Sequence, residues 1–307
     1  MTPDVDRAEL SRLWQTVAAG LANEASGPGL LGLPVVDDPA ALSGAALVVL
    51  GLSAGGRPDW PAAIRRASAP YSAWRRAAPS GAGLRVMDYG DVAVDDDLTA
   101  TFLRAHERLA DVFACGATPL VLGGGSLASL PVLQVLSGKL HGRLGVVAFT
   151  PAYEVALEPA HGDASRWARA LELGLLAPGN LALIGGRAAP PDVPVLQVLA
   201  EMGAHAFSVA DVAAAGMATV AQEALEAAAA GTEAIYLSVD LGALEGGADP
   251  VGLTVRELVQ GASVAAGALL AAADVCGGGP PLGDGRQAAI AARVAAEIVA
   301  GVARQRA

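Results

Sequence analysis

The chain has 307 residues, of which 53% are hydrophobic and 17% charged, and its net charge is -11 at neutral pH. An acidic chain gains nothing from releasing phosphate counterions and carries no basic block for an anionic membrane, so neither nucleic acid nor a membrane is expected as a partner. No apolar run reaches the roughly 20 residues that cross a bilayer; the nearest, 262–275, contains Asp274.

Aromatics are only 4% of the chain, so its core must be built mainly from Ala, Val and Leu. The opening MTPDVDRAEL lacks the basic-then-apolar order of a signal peptide, and a cytoplasmic protein is expected. Two cysteines, Cys115 and Cys276, make neither a disulfide framework nor a zinc site and read as buried, inert thiols.

In chain order, 6–22 reads as a helix and 27–34 as a Gly/Pro-containing loop, so residues 1–44 are expected to pack on the edge of a single domain spanning 1–307. AALVVLGL (45–52) reads as a strand. A helix over 97–115 leads to the strand PLVLGG (119–124), and a helix over 126–136 follows with Ser126 as its cap. LGVVAFT (144–150) is a strand, 164–175 a helix, LALIGG (181–186) a strand and 191–202 a helix. His205 begins a further strand, and 219–230 is helical. AIYLSVD (234–240) is a strand, and Thr254 with Glu257 forms the capping box of a helix over 254–266. The strand ALLAAADV (268–275) and a helix over 284–299 complete the order. The strands are apolar throughout rather than alternating, as in sheets covered by helices on both faces. The expected fold is α/β, a doubly wound parallel sheet in a three-layer αβα arrangement.

Ligands in such sheets bind beyond the carboxyl ends of the strands. That rule nominates Gly123 to Ser126, Thr150 to Glu154, Asp240 with Gly242, and Asp274 to Gly279, with His161 on the loop after Glu154. GGGS at 123–126 has neither the Lys-Ser/Thr of a Walker loop nor G-x-G-x-x-G spacing, so it reads as a tight strand-to-helix turn. His106, His141 and His205 read as solvated or packing residues.

Several segments together resemble the arginase/agmatinase, or ureohydrolase, family: DWPAAIRRAS (59–68), DYGDV (88–92), PLVLGGGSLAS (119–129), AHGD (160–163), SVDLGAL (238–244) and DVCGGGPPL (274–282). The resemblance implies an arginase-like fold, a homo-oligomer (a trimer or hexamer), and a cleft that holds two manganese ions and a small guanidino or amine-like ligand. It also implies where the ligands of the metals should lie. The family's GGDH histidine falls on Ser126, with Gly125 in place of the aspartate. Its D-A-H-x-D falls on Thr150, Ala152 and Glu154, with Tyr153 between the last two. Its S-x-D-x-D falls on Asp240 and Gly242, and its last glutamate on Gly277. Only Asp240 and Glu154 keep a carboxylate, and His161 stands where the family places a catalytic or substrate-contacting histidine. No metal and no other cofactor is therefore expected. Two divalent cations about 3.5–4 Å apart need more anionic ligands than these.

Three functions follow from this pattern. The first is a non-catalytic binding, regulatory or partner subunit, one partner being an active paralogue. The second is a metal-independent enzyme using His161, Glu154 and Asp240, and the third a divergent guanidino or amidino hydrolase.

Overall fold

The computed structural model describes residues 28–54, 57–72, 84–153, 166–187, 193–246, 250–277 and 284–306. The helix read over 6–22 lies outside them, as do Glu154 and His161.

Eight strands form one parallel sheet: β1 (Leu47–Leu52), β2 (Val86–Asp91), β3 (Thr118–Gly123), β4 (Leu144–Phe149), β5 (Leu181–Gly186), β6 (His205–Ser208), β7 (Ala234–Asp240) and β8 (Leu270–Cys276). Their order across the sheet is β2-β1-β3-β8-β7-β4-β5-β6. The described helices are α1 (Trp60–Ala67), α2 (Leu98–Ala114), α3 (Ser129–Lys139), α4 (Arg166–Glu172), α5 (Val193–Met202), α6 (Val209–Ala215), α7 (Met217–Ala229), α8 (Val255–Ala265) and α9 (Asp284–Gln305). Side chains alternate across each strand, so each strand feeds two cores. Leu47, Val49, Val147, Leu237 and Val239 pack with α1, α7, α8 and α9. Val48, Leu50, Val146, Leu183 and Tyr236 pack on the other face with α2, α3, α4 and α5. The doubly wound parallel arrangement is as expected, and the two late strands β8 and β7 are inserted between β3 and β4.

Local sequence explains the element boundaries. Thr254 and Glu257 form the expected reciprocal capping box of α8, and Ser208 with Asp211 forms a second one that opens α6. Asp97 caps α2 through the Thr99 amide at 2.8 Å. The expected Ser126 cap is not found. Residues 126–128 make a 3-10 turn whose N-cap is the extended Gly125, and α3 begins at Ser129. The small core residues bring layers close together. A Cβ at Gly145 of β4 would stand 2.2 Å from the Ala228 carbonyl oxygen of α7, a contact only glycine permits.

The edge strand β2 was not expected as a strand, because its sequence carries Asp88, Gly90 and Asp91 rather than an apolar run. Its charges are balanced by Arg65 of α1. That guanidinium donates to both oxygens of the fully buried Asp88 at 2.9 Å each, and its Nη1 donates to Asp91. Asp88 also accepts from the Leu30 amide at 2.7 Å, and the Ser68 hydroxyl oxygen accepts from the Leu31 amide at 2.7 Å, which seats Leu30 and Leu31 in the core.

Breaking a buried ion pair from one side leaves a charge without its counterion, at a cost of about 3–5 kcal/mol. Arg65→Met is therefore expected to lower the unfolding free energy by that order in a urea titration. A loss below about 1 kcal/mol, the size of an ordinary exposed pair, would show that the backbone amides alone satisfy Asp88.

Candidate functional site

The carboxyl ends of β3, β8, β7 and β4 lie side by side at the middle of the sheet. Ser238 pairs in register with Asp274, and Asp240 with Cys276. With the alternation of β-strands, Tyr236, Ser238 and Asp240 of β7 therefore share one face with Asp274 and Cys276 of β8. The intervening Ile235, Leu237, Val239, Ala273 and Val275 face the opposite, apolar core.

This polar column is knit together from inside. Asp274, fully buried, accepts from the Ser129 hydroxyl at 2.8 Å, the Ser238 hydroxyl at 3.0 Å and the Tyr236 hydroxyl. Arg166, at the start of α4, is also fully buried and reaches the same hydroxyls. Its Nη1 stands 3.4 Å from Ser129 Oγ and 3.5 Å from Ser238 Oγ, and 3.4 Å from Cys276 Sγ. Its Nη2 lies 3.5 Å from Asp240 Oδ2, and its guanidinium sits 4.7 Å from the Trp167 ring centroid. Asp240 Oδ1 accepts from the Gly242 amide at 2.7 Å, so the residue both closes its own turn and faces the column.

Burial dominates the protonation behaviour here. It pushes the Asp240 carboxyl above the usual carboxylate range, against the opposing pull of Arg166 and the Gly242 amide. Burial, with Asp274 and Asp240 adding to it, pushes the Cys276 thiol well up and favours its protonated form. Cys276 is buried as expected, whereas Cys115 is only half-buried because it lies at the C-cap of α2. Tyr236 is likewise raised by burial and by Asp274, and it acts as a hydrogen-bond donor.

The nominated residues divide in two. Asp240, Gly242 and Gly277 come together: a Cβ on Gly277 would lie 1.8 Å from Asp240 Oδ1, and one on Gly242 would lie 3.0 Å from the same atom. Gly125 and Ser126 follow β3, and Ser126 is buried. Thr150 is buried after β4, its hydroxyl donating to the Ala152 carbonyl at 2.6 Å. Tyr153 is buried with its ring against Gly186, where a Cβ would meet Cζ at 2.4 Å. Glu154 and His161 lie outside the described residues.

Sequence reasoning did not single out Arg166, Ser129, Ser238 or Tyr236. The alternation Tyr-Ser-Asp within AIYLSVD was the available signal, since a strand buried on both faces has no need of three polar groups on one of them. Arg187, just past β5, was missed as well. It donates to the carbonyls of Val251 at 2.7 Å, Gly242 at 3.0 Å and Pro151 at 3.3 Å, tying the segments after β4 and β7 to β5.

The positions that the resemblance assigns to a manganese pair do not fit one in the described residues. Ser126, Thr150, Ala152 and Gly242 supply no ionised ligand, and Asp240 is engaged by Gly242 and Arg166. Among the described residues, no three His, Cys, Asp or Glu side chains are grouped as a metal would require. The arrangement holds a cationic group, the Arg166 guanidinium, against Asp240.

Gly277 has a φ of 76°, which disfavours any side chain by roughly 1–2 kcal/mol, and its missing Cβ is the space that Asp240 uses. Gly277→Ala is expected to lower the thermal midpoint by several degrees more than a substitution at the open, positive-φ Gly231, where a Cβ meets nothing within 4 Å. Equal losses at the two positions, measured by calorimetry, would mean that Asp240 does not need this space.

A model of the arginase family matches residues 40–301. Formimidoylglutamase from Halalkalibacterium halodurans is 28% identical over 171 residues, covering 53% of this chain and 53% of the relative. The mitochondrial agmatinase of Gallus gallus is 34% identical over 121 residues, 38% of this chain and 35% of its own. The chain thus spans about half the length, or less, of the curated relatives it matches. A solved structure of a hypothetical agmatinase from Burkholderia thailandensis superposes with a TM-score of 0.77 at 21% identity, covering 91% of each chain. Proclavaminate amidino hydrolase from Streptomyces clavuligerus gives 0.76 at 21% identity, covering 90% of this chain and 97% of its own. At such identities these structures speak for the fold alone. With the motifs in order along the chain and the family model matching residues 40–301, the chain belongs to the arginase family.

Proposed function

We propose that this chain is a ureohydrolase-fold protein without the binuclear manganese site, and that it serves as a binding, regulatory or partner subunit rather than as a metal-dependent hydrolase. The observation that carries this reading is the occupancy of the family's ligand positions. At the positions that the resemblance assigns to ligands, Ser126, Thr150, Ala152, Gly242 and Gly277 carry no ionisable group, and among the described residues Asp240 alone keeps a carboxylate. A water becomes a nucleophile at neutral pH when a metal lowers its pKa from 15.7 to about 7. One carboxyl, itself pushed up by burial, offers no equivalent. What the cleft retains among the described residues is one acidic group, Asp240, already faced by Arg166.

The relatives' names supply the substrates for the test: arginine, agmatine, proclavaminate-type amidines and formimidoylglutamate. After incubation with Mn²⁺ and desalting, elemental analysis is expected to find no stoichiometric manganese, and none of these compounds is expected to turn over. About two manganese ions per chain with robust turnover would overturn the proposal. Turnover that persists without metal and vanishes in His161→Ala would replace it with the metal-independent enzyme.

The same reading includes self-assembly, as a trimer or a hexamer. Light scattering at micromolar concentration is expected to give three or six times the 30.5 kDa chain mass. A clean monomer would remove that part.

A further inference from the structure

We infer that the Arg166 guanidinium is this protein's resident cation, a built-in ligand that fills the acidic end of the β7–β8 column and closes it to external cations. The inference rests on the preceding reading that no manganese pair is held there. Three observations carry it. Arg166 is fully buried, and so is Asp274, while Asp240 is nearly so. The guanidinium faces Asp240 directly at 3.5 Å, and it reaches Asp274 through the hydroxyls of Ser129 and Ser238, which accept from Arg166 and donate to Asp274. The room for Asp240 to turn towards it exists because Gly277 lacks a Cβ.

Carboxylates this deep require a positive partner, since an isolated buried charge is heavily penalised. A guanidinium suits the place better than an ammonium would. Its planar set of donors serves several acceptors at once, it stays charged, and its face stacks on Trp167. The contacts of Nη1 with Ser129, Ser238 and Cys276 and of Nη2 with Asp240 fall between 3.4 and 3.5 Å, so one flat group reaches α3, β7 and β8 at once.

A double-mutant cycle in urea unfolding tests this with Arg166→Met, Asp240→Asn and the combination. Arg166→Met is expected to reduce the folding equilibrium constant by ~100-fold or more. Adding Asp240→Asn is expected to recover much of that loss, because the stranded carboxylate is gone. Additive effects would overturn the inference. The second arm uses Arg166→Ala with millimolar guanidinium chloride, against urea as the neutral isostere and sodium chloride as the ionic control. Guanidinium is expected to raise the thermal midpoint of this variant saturably and to leave the wild type unchanged, while the controls do nothing. Equal effects of the three solutes, or an equal shift in the wild type, would count against it. If Arg166→Met does not fold alone, its recovery by Asp240→Asn supports the inference, and failure to recover overturns it. Manganese bound to the wild type would sink the reading on which this rests, whereas additivity in a manganese-free wild type sinks only the role of Arg166.

Discussion

A carboxylate placed between an apolar sheet and its covering helices has to find its counter-charge inside the chain, and this constraint organises the molecule at two points. At the edge, Asp88 of β2 is met by Arg65 of α1, and the remaining lone pairs take the Leu30 and Gly90 amides. That lets a strand with two aspartates join the sheet and pins the segment around Leu30 and Leu31 against it. At the centre, Asp274 and Asp240 are met by Arg166 of α4, directly or through serine hydroxyls. In both cases the cation arrives on a helix and the acid on a strand, so the ion pair ties helix to sheet as well as balancing the charge. The remaining packing is made of Ala, Val and Leu, which are non-directional and could slide.

The fold was legible because most strands are buried on both faces. β5 and β7 have the bounds read from their apolar runs, and β1, β3, β4 and β8 differ by one or two residues at their ends. β2 escaped because Asp88 and Asp91 disguise it, and their partner Arg65 is far away in sequence. The helix α6 escaped because its seven residues are too few for a periodic pattern, although Ser208 and Asp211 spell out its cap. The Ser126 cap was misread for a local reason: the chain leaves β3 through a bend at Gly124 and Gly125, and the first turn after it is 3-10.

The site was legible only in outline. The rule that ligands sit beyond the carboxyl ends of parallel strands found Asp240, Gly242 and Gly277 together. It could not find Arg166, which enters from a helix and whose role depends on a tertiary contact. Nor could it foresee that Gly277 matters for what it lacks, since an absent Cβ becomes informative only when the neighbouring atom is known. The resemblance to the ureohydrolases supplied the ligand positions, and the packing supplies the reason that the residues now there are compatible with the fold.

The depth of the column separates what the scaffold needs from what the family's chemistry needs. At about 3.3 Å per residue, Tyr236 lies roughly 13 Å behind Asp240 along β7. The inner part, Tyr236, Ser238, Ser129 and Asp274, is a closed network in which three hydroxyls donate to one carboxylate, and it ties β7, β8 and α3 to each other. Removing any member strands a buried polar group, so the network is held in place by folding itself. The outer part is Asp240 with Gly242 and Gly277, at the strand ends, where a substitution disturbs no strand pairing. An arginase-family chain can therefore keep the inner network intact while its rim exchanges carboxylates for glycines, provided that a charge such as Arg166 balances the acid left behind.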